Sequence, residues 1–235
     1  MVVLCYIHSQ MYVSLPFSKN HPMARKTKQQ ALETRNHIID AAIDRFSEHG
    51  VSGTSLADIA AAAGVTRGAI YWHFKNKTDL LNEIWTQSES GLEDLKQEYQ
   101  LKYPSDPLYI LRALLVYVLE ATVRDQRRRS LMEIFFHKCE FVGEVAPLQL
   151  MQQTLFLECY DKIEEVLRQC IACGQLPADL DTRRTAVVMR GYMTGIMENW
   201  LFMPEIYDLA ADAPQLIDVL LDMLQHGKTL RTSPC

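Results

Sequence analysis

Gly64-Val65-Thr66-Arg67-Gly68-Ala69-Ile70-Tyr71-Trp72-His73-Phe74-Lys75-Asn76-Lys77 is the stretch whose reading decides the fold. Gly64 suits the end of one helix, Thr66 caps the start of the next, and Asn76 caps a third. The helix between carries Arg, Tyr, Trp and His within about a turn and a half and ends on lysines. Arg67, just past the cap, is placed to reach a base edge. Tyr71, His73 and Lys77 suit phosphate oxygens, as do the first N–H groups of the helix after Asn76. The dull alternative is a small helical hairpin with a solvated polar face and Trp72 in its core.

Immediately before this stretch, Thr54 or Ser55 caps a short helix over Leu56 to Ala63, with Asp58 at the capping-box position. Leu56, Ile59 and Ala60 are expected to face inward, and the alanine run permits close helix approach. Two short helices across a glycine turn make a helix-turn-helix. Further back, Ile38, Ile39, Ala42, Ile43 and Phe46 define one face of a helix starting near Glu33 and stopping at Gly50. Ahead of it, Arg25, Lys26 and Lys28 read as a basic arm of the kind that follows a DNA backbone or minor groove. The expected DNA-facing set is therefore Arg25, Lys26, Lys28, Thr54, Ser55, Thr66, Arg67, Gly68, Ala69, Tyr71, Trp72, His73 and Lys77.

Charge supports this division. Of 235 residues with a net charge of −5, residues 23–77 carry +3, residues 1–22 carry +1, and residues 78–235 carry −9. A basic front on an acidic body fits a DNA-binding module joined to a body that DNA does not touch. At 48% hydrophobic and 23% charged the composition is that of a soluble globular protein, and no apolar run approaches the ~18 residues of a membrane span. The expected location is the cytoplasm.

Residues 1–22 match neither signal-peptide pattern nor body, and Met23 is the expected true start, with 1–22 an upstream or disordered extension. The remaining boundaries are expected at 23–76 for the DNA-binding domain, 77–226 for the ligand-binding and dimerisation domain, and 227–235 for a flexible tail. Beyond Asn76, helical periodicity continues. A long helix carries Leu81, Ile84, Trp85, Leu92 and Leu95, and another starts at Asp106-Pro107. A nearly all-apolar helix spans about Gln126 to Cys139. A long one runs from Pro147 to Gly174, another from Asp181 to Phe202, and a last one starts at Asp212 or Ala213. About nine helices without a strand pattern make an all-α fold.

Cys170 and Cys173 form a lone C-x-x-C in a helical pattern. With no second pair it reads as small core residues, not as zinc ligands. No metal and no cofactor are expected. Nor is catalysis: there is no phosphate loop or nucleophile–base pair, and His137 and Cys139, two apart on a helix, point away from each other.

Over residues 33–80 the chain resembles the DNA-binding domain of the TetR family of regulators. The resemblance rests on Ile38-Ile39-x-x-Ala42, Phe46-x-x-x-Gly50, Thr54-x-x-x-Ile59-Ala60-x-x-Ala63-Gly64-Val65, Gly68-x-x-Tyr71-x-His73-Phe74 and Lys77-x-x-Leu80-Leu81. Arg127-Arg128-Arg129 with Leu131-Met132-Glu133-Ile134, and Met197-Glu198-Asn199-Trp200-Leu201-Phe202, extend it to local repressors of multidrug efflux operons within that family. The resemblance implies a homodimer on an inverted-repeat operator and a ligand chamber in the C-terminal body. For the dimer face the residues themselves offer Val188, Gly191, Tyr192, Gly195 and Ile196, with Leu216, Val219, Leu220 and Met223, as a four-helix bundle between subunits. These faces also suit completion of a monomer core. For the chamber they offer Trp85, Glu89, Phe135, Phe136, Gln152, Phe156 and Tyr160. Aromatic walls with one carboxylate suit small lipophilic, often cationic ligands. The competing readings are ordinary core aromatics, and an activator or architectural protein without small-molecule input.

Overall fold

The computed structural model describes residues 22–139 and 146–232, in two compact units. Among them are nine α-helices: α1 (Pro22–His49), α2 (Leu56–Ala62), α3 (Arg67–His73), α4 (Lys77–Lys102), α5 (Pro107–Arg124), α6 (Gln126–Glu133), α7 (Ala146–Ala172), α8 (Thr182–Phe202) and α9 (Leu209–His226). A π-helix, Ile134–Lys138, follows α6 directly, and a 3-10 turn, Lys228–Leu230, follows α9. An isolated antiparallel β-bridge pairs Leu180 with Arg231. No described helix is long and apolar enough to cross a membrane.

Of the described residues, the first unit takes in 22–87, 133–139 and 146–149. Its core is the periodic set of the first helix (Ile38, Ile39, Ala42, Ile43, Phe46) closed by Leu56, Ile59, Ile70, Phe74, Leu80, Leu81 and Ile84. Burying so many branched side chains is what stabilises helices of seven residues, which are too short to persist alone. Ser55 and Asp58 complete the expected capping box, and Gly64 turns the chain with φ +64°.

The backbone of Val51 knots this unit together. Its N–H donates to Lys138 O (3.0 Å), and its carbonyl accepts from Lys77 Nζ (3.1 Å). The π-helix and the start of α4 are thereby tied to the α1–α2 turn. This is why the unit extends past the expected boundary at residue 76 and recruits the π-helix from far along the chain. A π-helix bonds i to i+5 where an α-helix bonds i to i+4; it is rare, and frequent at functional sites. Periodicity alone had merged it with α6.

The second unit covers described residues 88–132 and 150–232, within which α5 packs on α9 and α9 on α8. Its core includes Leu115, Val118 and Leu119 of α5, Met189, Met193 and Met197 of α8, and Ile217, Leu220 and Leu224 of α9. Asp106 caps α5, and Arg112 of α5 pairs with Asp218 of α9 through two bonds of 2.6 and 2.8 Å.

Three expectations about elements are corrected. The first helix begins at Pro22, so Arg25, Lys26 and Lys28 lie in its opening turns and not in a separate arm. The last helix begins at Leu209, because Asp208 caps it by accepting Ala211 N–H; Pro214 sits inside it. The tail is docked as far as Thr232. Leu230 is buried, its carbonyl accepts from Asp181 N–H (2.8 Å), and Thr232 N–H donates to Asp179 O (2.8 Å). Of the cysteine pair only Cys170 is core, where burial pushes its thiol up to about 12; Cys173 is exposed. No cluster of three or more His, Cys, Asp or Glu suited to a metal occurs among the described residues. Residues 1–21 and 233–235, named above as extension and tail, lie outside the described residues, as do the side chains of Arg25 and Lys26.

Candidate nucleic-acid interface

Helix α3 fully buries one side chain, Ile70, and exposes Arg67, Tyr71 and Trp72. Thr66 accepts Ala69 N–H at 3.1 Å and so fixes the N-terminal turn. Arg67 and Gly68, next to that cap, are exposed, and Ala69 is half-buried. Trp72 is 75% exposed and Tyr71 49%. A core role for Trp72 is thus excluded: an indole turned to solvent on a two-turn helix marks a contact surface. His73 is half-buried, and burial, followed by the charge of Arg35, lowers its pKa from the ordinary 6.5.

Between α1 and the end of α3 lies an open groove of about 610 Å³ lined by Lys28, Gln29, Ala31, Leu32, Arg35, Trp72 and His73. It places the exposed Lys28 beside Trp72 and His73, joining two sequence-distant parts of the expected DNA-facing set. Arg35 is the residue that sequence reading missed. Its guanidinium donates to His73 O (2.9 Å) and Glu83 Oε2 (2.8 Å) and lies over the Phe74 ring at 4.3 Å. These partners are 38 and 48 residues away, and no local pattern signals them.

Three members of the expected set do other work. Lys77 is 9% exposed with its ammonium on Val51 O, so it ties the fold together and is not a surface cation for phosphate. Thr54 is 2% exposed, and its hydroxyl donates to Gly50 O at 2.8 Å. Ser55 is exposed but its hydroxyl is engaged with Asp58. Both short-helix starts carry polar side chains for capping, and sequence type alone does not separate a cap from a DNA contact.

The expected chamber residues divide between the units. Trp85 and Phe135 belong to the first unit, where both are buried and pack edge to face with ring centroids 4.7 Å apart. Phe136 is half-buried beside the His137 ring. Tyr160 belongs to the second unit, where its ring faces the guanidinium groups of Arg183 and Arg190 and its hydroxyl accepts from Arg190 Nη1 at 3.2 Å. The side chains of Glu89, Gln152 and Phe156 lie outside the described residues.

On the expected dimer face, Gly191 is exposed, and a Cβ built at Gly191 or Gly195 meets nothing within 4 Å. Val219 is 61% exposed and Val187, next to Val188, is 49%. Val188, Ile196, Leu216 and Met223 are half-buried. Tyr192 OH donates to Leu216 O (2.8 Å), joining α8 to α9 within the chain. Leu220 is fully buried and belongs to the core of its own chain, since α9 turns it toward α5 and α8 while Val219 faces out.

A capped recognition helix, turned outward on a basic helical unit and joined to a separate helical body, defines a helix-turn-helix regulator. Residues 38–84 match the model of bacterial regulatory proteins of the tetR family, and residues 106–226 match that of the MAATS-type transcriptional repressor C-terminal region. The chain belongs to the TetR family of transcriptional regulators. It is 59% identical over 209 residues to the HTH-type transcriptional regulator AcrR of Shigella flexneri, covering 89% of this chain and 97% of that one. Among solved structures it is similar to NalD of Pseudomonas aeruginosa, the secondary repressor of the MexAB-OprM multidrug efflux pump. The TM-score is 0.74 at 30% identity, over 84% of this chain and 98% of that one. The triclosan complex of SmeT, the repressor of the Stenotrophomonas maltophilia efflux pump SmeDEF, is similar with a TM-score of 0.69 at 32% identity, over 86% and 99%.

Proposed function

We propose that the protein is a dimeric repressor that binds an inverted-repeat operator of a multidrug efflux operon and releases it when a lipophilic, often cationic, drug binds. The observation that carries the DNA half of this reading is the seven-residue helix α3, held by Thr66 and Ile70 with Arg67, Tyr71 and Trp72 turned to solvent. A side chain just past the N-cap is the one a recognition helix presents to base edges. The efflux assignment is supported by the similarity to the efflux-pump repressors NalD and SmeT, and a small-molecule ligand by the SmeT–triclosan complex.

For the ligand half the described residues offer Trp85 of α4 and Phe135 of the π-helix, buried neighbours in the first unit and of the aromatic type that attracts a lipophilic cation. A tenfold loss of operator affinity needs about 1.4 kcal/mol of coupling, an ordinary allosteric magnitude. Helix α4 begins at Lys77, beside the α1–α2 turn, and carries Trp85 two turns on, so one rigid element spans both functions.

The test is fluorescence anisotropy of a labelled fragment from the promoter beside the gene, titrated with protein at fixed salt against random competitor DNA. Ethidium or rhodamine 6G is then added, with ligand-only and DNA-only controls. Specific binding reversed by the cation is the expected result. Specific binding that no cation reverses overturns the ligand half, and absence of sequence preference overturns the operator half.

A further inference from the structure

The recognition helix has fewer than two turns, and its N-terminal end is fixed by its own sequence through the Thr66 cap. Its C-terminal end has no such local device. The last carbonyls of any helix lack intrahelical partners and carry partial negative charge. Here the carbonyl of His73, the final residue of α3, accepts a bond of 2.9 Å from Arg35 Nη1 on α1. The other terminal nitrogen of the same guanidinium donates to Glu83 Oε2 on α4 at 2.8 Å. The plane between them covers the ring of Phe74, the C-cap residue, which is itself fully buried. Glu83 is held in turn: its second oxygen accepts from Gln87 Nε2 at 3.0 Å.

We propose that Arg35 and Glu83 form a positioning clasp that fixes the exit angle of the recognition helix against α1 and α4, and that sequence-specific operator binding depends on it. Neither residue touches a base; both act through α3. The geometry demands arginine, because a rigid planar fork can serve a carbonyl, a carboxylate and an aromatic face together, whereas an ammonium on a flexible stem can serve only one or two of them. An exit angle matters because a bidentate contact between Arg67 and a base edge survives only a small misplacement. Phosphate contacts along the backbone are more tolerant. The clasp also joins the recognition helix to α4, two residues before Trp85, and so gives movement of α4 a direct grip on α3. This inference rests on the reading of α3 as the DNA-reading helix.

The rival role for Arg35, which lines the groove with Lys28 and Trp72, is a direct phosphate contact. Three variants separate the two: Arg35→Lys, Arg35→Gln and Glu83→Gln. Each is measured for operator affinity, for affinity to random DNA and for the salt dependence of both, at a temperature where circular dichroism shows it folded.

A clasp predicts that Arg35→Lys weakens operator binding about as much as Arg35→Gln does, by roughly tenfold, the scale of a lost charge-assisted hydrogen bond. Random-DNA binding and the salt slope stay near wild type for Arg35→Lys. The decisive variant is Glu83→Gln. Removing a carboxylate from a DNA-binding unit raises affinity for any DNA by simple electrostatics, yet the clasp predicts weaker operator binding while random-DNA binding holds or rises.

Glu83→Gln with operator affinity unchanged or increased overturns the clasp. Arg35→Lys at wild-type affinity, with Arg35→Gln losing about 0.9 units of salt slope per subunit on both DNAs, overturns it in favour of a phosphate contact. A wild-type protein without preference for the operator fragment over random DNA overturns instead the reading of α3 on which the clasp rests. A merely structural role lowers the melting temperature of all three variants but leaves the ratio of operator to random-DNA affinity unchanged in the folded protein.

Discussion

Replacing Lys77 with methionine separates a buried tie from a DNA contact. Methionine keeps an unbranched stem of similar length, so packing along α4 is largely preserved. What is lost is the ammonium on the Val51 carbonyl, 3.1 Å away in a site where Lys77 is 9% exposed and Val51 is fully buried. Leaving a buried acceptor unpaired costs about 1–3 kcal/mol. The Val51 carbonyl keeps a long bond of 3.4 Å from Thr54 N–H, and the variant no longer desolvates a charge. Both facts favour the lower half of that range, about 1–2 kcal/mol. At roughly 2–4 °C per kcal/mol for a domain of this size, the melting temperature falls by about 2–8 °C. Thermal unfolding by circular dichroism reads the first number. The salt dependence of operator binding reads the second, and it stays at the wild-type slope because no phosphate contact is removed. An unchanged melting temperature with a slope shallower by about 0.9 per subunit would refute the reasoning and restore Lys77 to the DNA surface.

Arg67→Ala weakens operator binding by about 1–3 kcal/mol and relaxes sequence preference, checked against single-base operator variants; equal loss on random DNA removes its base-reading role. Trp85→Leu leaves operator affinity intact but weakens reversal by ethidium, read in the same anisotropy titration; unchanged reversal takes Trp85 out of the ligand site. A Cβ at Gly191 meets no atom of its own chain within 4 Å, so the side chain of Gly191→Leu starts out into open space. The variant therefore folds as a monomer with wild-type helicity, and a dimer persisting in sedimentation velocity contradicts the α8–α9 interface. The Ser55 hydroxyl, and then its backbone N–H, hold the Asp58 carboxyl below the ordinary 3.8, so the capping box stabilises the protein fully above that value. The melting-temperature gap between wild type and Asp58→Ala narrows as pH falls through the lowered pKa; a gap constant from pH 6 to pH 2.5 contradicts the assignment.

Much of the first unit was legible because its signals are local. A cap, a glycine turn and a 3.6-residue apolar period act within a few residues of each other. Ser55, Gly64, Thr66, Ile38 to Phe46 and the α8 cap at Asp181 therefore stand where the pattern put them. The start of α9 was misplaced because proline is commonest in a first helical turn, and here Asp208 initiates the helix ahead of Pro214.

The candidate site was legible by residue type and not by role. Sequence alone determined a helix-turn-helix on a basic front, an all-helical body and a recognition helix rich in groups that bind DNA. Only the tertiary structure decided that Lys77 and Thr54 face inward, that Trp72 faces out, that Leu220 belongs to the core, and that Arg35 joins three helices. The reason is physical. Capping and periodicity depend on neighbours within about one or two helical turns. Burial, and the partner a charge finds, depend on chain segments tens of residues away: Val51 for Lys77, and His73 and Glu83 for Arg35.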